Sequence, residues 1–93
     1  MIHQNTIVAL ATPSGAGAIA IIRLSGKDAI TIAAEVFNSI RGKELSKQKS
    51  HTVHLGNIVD GNRIIDEVLA TVFKNPNSYT GENVVEFSCH GSS

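Results

Sequence analysis

The sequence predicts an α+β fold, a mixed, mostly antiparallel sheet carrying one principal helix, and three observations predict it. Asp60-Gly61 separates two runs rich in Val, Ile, Leu and Thr, the pattern of a hairpin between antiparallel strands. Ile30, Ala33, Ala34 and Phe37 keep the i, i+3, i+4, i+7 spacing of a helix with one buried stripe. Further short runs of β-branched and apolar residues, Thr6 to Ala11, Ala18 to Ser25 and Val84 to Cys89, are bounded by Gly, Pro and Asn.

In chain order, Thr6 to Ala11 lacks polar alternation, so it is expected to be a buried strand, followed by a Gly15-Ala16-Gly17 turn. The glycines match a G-x-G-x-x-A dinucleotide fingerprint, but they open the strand-like run Ile19-Ala20-Ile21-Ile22 rather than a helix. Without a helix N-terminus to face a pyrophosphate, they are a strand-to-strand turn. In Ala18 to Ser25, Ile19, Ile21 and Arg23 share one face, and the arginine interrupts an otherwise apolar surface. Ser25 to Asp28 starts the helix, which should reach Phe37 or Ile40, with Ile32 and Val36 widening its stripe and Asn38 to Gly42 ending it. Arg41 to Ser50 holds four cations against Glu44 and little that can pack, so its default reading is a solvated linker. His51 to Val59 and Ile64 to Phe73 form the hairpin. A Pro76 to Gly81 turn then leads into Val84 to Cys89, where Val85, Phe87 and Cys89 face one side and Glu86, Ser88 and His90 the other.

Ninety-three residues make one small domain, burying roughly 60 to 65 per cent of its unfolded surface. Eight basic and eight acidic residues cancel, so the chain lacks the footprint of a stand-alone nucleic-acid binder. One cysteine cannot form an internal disulfide, and no apolar run reaches the length of a membrane span or signal peptide, which points to a cytoplasmic setting with no membrane contact. The sequence stops just after a strand with no closing element, as expected of an incomplete fragment.

Two side chains stand out chemically. Arg23 lies among isoleucines, and a guanidinium buried there would have to be neutralised, because an unpaired buried charge costs about 3 to 5 kcal/mol. Glu86 is the carboxylate on the polar face of the last strand. On residue types alone three arrangements are open: an internal Arg23–Glu86 salt bridge, an arginine snorkelling to the rim, or a pair of ligand contacts. Cys89 and His90 are neighbours on a strand and so point to opposite faces. Cys89 is therefore a small core residue rather than a nucleophile with its base, and no catalytic or metal-ligating residue is assigned.

The run Pro76-Asn77-Ser78-Tyr79-Thr80-Gly81-Glu82, followed by Val84-Val85-Glu86-Phe87-Ser88-Cys89-His90-Gly91, resembles the N-terminal domain of the MnmE (TrmE) family of tRNA-modification GTPases. The opening, Thr6 to Gly15 with Ala18 to Gly26, is similar to that family's first block. Ala16, where the family often has arginine, and Ser92, where it usually has a second glycine, depart from the pattern. The resemblance implies that residues 1–93 are a single N-terminal folate-binding and dimerisation domain, cut short at its C-terminal end. Arg23 and Glu86 fall on the family's contacts to 5-formyltetrahydrofolate, and a further lysine contact would lie beyond Ser93. It also implies a homodimer whose GTPase domain, absent here, uses GTP, K+ and Mg2+. With the FAD-dependent partner MnmG (GidA), such a protein modifies C5 of the wobble uridine of certain tRNAs by an aminomethyl-type addition. No G-x-x-x-x-G-K-[ST] phosphate loop occurs in these residues, so the fragment alone is not expected to hydrolyse GTP. The alternatives are a stand-alone folate-binding or aminomethyltransferase-like protein and a purely structural dimerisation module.

Overall fold

The computed structural model describes residues 6–10, 19–75 and 82–90. The Gly15-Ala16-Gly17 turn, the Pro76 to Gly81 turn with Tyr79, and Gly91 to Ser93 lie outside the described residues, as does the side chain of His90. The strands are β1 (Ile7–Leu10), β2 (Ile19–Ser25), β3 (Phe37–Ser39), β4 (Thr52–Asp60), β5 (Arg63–Phe73) and β6 (Val84–His90), with one helix, α1 (Ala29–Val36). They form a six-stranded sheet in the order β1-β2-β6-β5-β4-β3. Every pairing between described strands is antiparallel, so the parallel component of the expected mixed sheet is not found among them.

The helix covers one face only. Ala29, Ile30 and Ala33 of α1 pack on Leu24, Val85, Phe87, Val68, Ala70 and Val72, with Phe37 and Leu45 closing the cluster. Phe37 and Phe87 meet with ring centroids 5.9 Å apart. The even positions of β2 and the odd positions of β6 face this core, as period-two alternation requires.

Asp60-Gly61 turns the chain between β4 and β5, with Gly61 at φ 61°, a left-handed conformation that glycine adopts without steric cost. The structure differs from expectation in four other places. First, β1 is an edge strand rather than a buried one, and Ile7 and Val8, on its two faces, are both 61% exposed. Second, α1 stops at Val36, and Phe37 starts β3. Ile32 and Val36 are exposed, since α1 buries only the narrow stripe of Ala29, Ile30 and Ala33 with the half-buried Ala34. Third, Asp28 occupies the N-cap position without a side-chain cap, and its N–H donates to Thr6 Oγ1 instead. Fourth, the basic segment exposes its four cations as expected but packs more than expected: Leu45 is buried in a single 3-10 turn, Leu45–Lys47, and Lys47 pairs with Glu44 at 2.8 Å. No helix among the described residues is long and apolar enough to cross a membrane.

Candidate functional site

Arg23 and Glu86 are direct cross-strand neighbours, because β6 pairs with β2 in a register that sets Arg23 opposite Glu86. Thr71 of β5 lies on the other side of Glu86, and Ala9 of β1 on the other side of Arg23. These four residues form a row across the sheet on the face opposite α1. Ser88, between Ile21 and Leu69, extends the polar centre by one step. Around it Val53, Leu55, Leu69 and Ile7 are exposed, so apolar side chains surround a charged middle.

The ion pair has a particular shape. Arg23 Nη2 stands 2.6 Å from Glu86 Oε2, and Arg23 Nε donates to the same oxygen at 2.8 Å. Both contacts use one carboxylate oxygen. Among the described residues, Glu86 Oε1 and the Nη1 edge of the guanidinium take part in no further hydrogen bond or ion pair. The side chains are 45% and 22% exposed, so Arg23 is not the buried cation that its isoleucine neighbours suggest. The strand alternation is right, but its Arg23 face is the open one. The buried-charge penalty therefore does not apply, and mutual attraction is worth only what a partly solvated pair is worth. Of the arrangements left open by residue type, the salt bridge is formed, with a half-exposed arginine and, among the described residues, hydrogen-bonding capacity left on both partners.

Such a pair can hold a ligand carrying both donors and acceptors. A carboxylate oxygen with free lone pairs accepts from amino or ring N–H groups, and a guanidinium edge donates to carbonyl or carboxylate oxygens. Two surface clefts, of about 440 and 340 Å3, run along the Ser39 to Ser46 segment; the smaller reaches Val53 and Leu55, and neither contains Arg23 or Glu86.

Cys89 stands on the opposite face, partly buried against the core, and its thiol donates to the Phe87 carbonyl oxygen at 3.8 Å. Burial, and then the negative charge of Asp66, push the thiol pKa up, so the thiolate is disfavoured. Alternation along β6 places Ser88 beside Glu86, but Thr71 is a member of this face that sequence reasoning misses. The hairpin pattern identifies the β4–β5 pairing, whereas nothing local specifies that β6 inserts between β2 and β5.

The family described as "GTP-binding protein TrmE N-terminus" matches residues 6–93. The tRNA modification GTPase MnmE of Flavobacterium psychrophilum is 67% identical over 92 residues, which cover 99% of this chain and 20% of that protein. The proteins of the same name from Clostridioides difficile and Bacillus subtilis are 50% and 49% identical, over 98% and 95% of this chain and 20% of each relative. The chain thus spans about a fifth of the length of these relatives. It belongs to the TrmE N-terminal family, and the relatives just named are tRNA modification GTPases.

Proposed function

We propose that this chain is the N-terminal folate-binding and dimerisation part of a longer, cytoplasmic tRNA-modification GTPase. In this reading the open face around Arg23 and Glu86 binds 5-formyltetrahydrofolate or a related reduced folate. One observation carries it: among the described residues, Arg23 uses a single oxygen of Glu86, on a face that no described element covers, and the second oxygen has no further partner. The pterin ring presents adjacent amino and ring N–H donors suited to that carboxylate. The guanidinium suits the acceptor oxygens or glutamyl carboxylate of the same molecule. When bound, the folate supplies a one-carbon unit. The residues described here bind and orient it.

The remainder of the activity belongs to the longer protein. It hydrolyses GTP with K+ and Mg2+ in a region outside these residues and, as a homodimer with MnmG, acts on C5 of the wobble uridine of certain tRNAs. The exposed Ile7 and Leu69 beside the ion pair suit a face partly covered by a second subunit. Calorimetric titration of the longer chain with 5-formyltetrahydrofolate tests the proposal. Binding that is lost in Arg23→Ala and in Glu86→Ala, with circular dichroism unchanged, is expected. Undiminished binding in both variants would refute the assignment.

A further inference from the structure

The basic segment after β3 is held at both ends. Ile40 N–H donates to the Leu55 carbonyl, Arg41 N–H donates to Ser39 Oγ, and Gly42 N–H donates to the Ser39 carbonyl. Gly42, at φ 70°, turns the chain back, and three residues later Leu45 is anchored in the core. Arg41 and Lys43 are therefore fixed between two anchors rather than carried on a free loop.

The two cations border the cleft of about 340 Å3, which is also lined by Ser39, Ile40, Val53, His54 and Leu55. β3 ends at Ser39, opposite Gly56, so Val53 and His54 have no β3 partner, and the cleft occupies the space beside them. No carboxylate lines it, and the nearby Glu44 is engaged by Lys47. His54 Nε2 lies 2.8 Å from Thr52 Oγ1, whose hydroxyl donates to the Lys49 carbonyl, so Nε2 is the donor and the ring orientation is fixed. Burial, and then the charge of Lys43, which lines the same cleft, lower the pKa of this imidazole. Two anchored cations without a counter-carboxylate, beside the exposed apolar side chains of Ile40, Val53 and Leu55, form an anion site with a greasy floor.

We propose that the cleft between the end of β3 and the start of β4 binds a backbone phosphate of RNA through Arg41 and Lys43, with the adjoining nucleotide against Ile40, Val53 and Leu55. This rests on the reading that the longer protein acts on tRNA. The neutral net charge of the chain is compatible with it, because one or two local contacts need no basic domain.

The test is equilibrium binding of unmodified tRNA to the full-length protein across a salt series. Wild type is compared with Arg41→Ala/Lys43→Ala and with Arg63→Ala, which removes an exposed cation at the far end of the hairpin. Each phosphate neutralised by a cation contributes about 0.7 to 0.9 to the slope of log K against log salt. The double variant should therefore flatten the slope by about one for each phosphate no longer neutralised, and weaken binding by roughly five- to tenfold per phosphate at about 0.1 M salt. Arg63→Ala should leave the slope unchanged. An unchanged slope in the double variant, or an equal flattening in Arg63→Ala, would overturn the inference while leaving the tRNA reading intact. A wild-type protein with no affinity for tRNA would overturn that reading and the inference with it. As a second arm, inorganic phosphate should move the His54 ring resonances in wild type but not in the double variant. Phosphate-induced shifts together with an unaltered tRNA slope would assign the cleft to a free phosphate and overturn RNA as its occupant.

Discussion

Substituting Glu86→Gln separates a pair that supports the sheet from a pair that serves a ligand. Glutamine keeps the length of the side chain and one carbonyl oxygen for Arg23, but puts an NH2 donor where the carboxylate's second oxygen accepts. The stability cost follows from exposure. With Arg23 45% and Glu86 22% exposed, solvent screens the attraction, and the loss should be about 0.2 to 1 kcal/mol, far below the 3 to 5 kcal/mol of a truly buried pair. The binding cost follows from chemistry. A hydrogen bond to a charged group is worth about 1.5 to 3 kcal/mol, and at 1.4 kcal/mol per decade affinity for 5-formyltetrahydrofolate should fall about 10- to 150-fold. Urea unfolding and calorimetric titration on the same protein measure both quantities. A stability loss above about 3 kcal/mol with unchanged affinity would refute the reasoning and make the pair a structural brace.

Gly56 lies beneath Phe37, and a Cβ there would collide with the Asn38 carbonyl oxygen and stand 2.5 to 2.6 Å from Phe37 ring atoms. Gly56→Ala should therefore cost about 2 to 3 kcal/mol and lower Tm by about 10 °C or more, read by calorimetry. Cys89 should react with a disulfide reagent near neutral pH about tenfold more slowly in the folded than in the unfolded chain, because burial raises its pKa and restricts access. The pKa of His54 is lowered from 6.5, so the folded state binds the proton less tightly than the unfolded chain. The His54 contribution to stability is then constant above about pH 6.5 and declines as pH falls through that value. Lys43→Ala should raise the His54 titration midpoint in NMR and make the acid-side decline shallower.

Much of the fold is legible where pattern is local. The Asp60-Gly61 hairpin, the Ile30–Ala33–Phe37 stripe and the alternation of Val84 to His90 follow from turn chemistry and periodicity. Phe37 shows the limit: it completes a helical stripe by spacing, yet its backbone is extended and its ring reaches the core from β3. The exposure of Ile7 and Val8 is not legible, because an apolar run indicates strand without saying whether the strand is central or terminal in the sheet. Arg23 and Glu86 are identifiable by residue type and by resemblance. Their adjacency and their position on the uncovered face depend on the non-local insertion of β6.

That insertion also orders the assembly of the domain in time. Residues 84–90 form the central seam between a β1–β2 unit and a β3–β4–β5 unit, and they come last in the sequence among the described strands. Until they leave the ribosome, β2 and β5 each present an unmatched row of amide groups, and the nascent polypeptide exposes two sticky borders at once. Quality control should therefore be most engaged by chains stalled just short of Val84, and a premature stop there should give an aggregate rather than a smaller soluble domain.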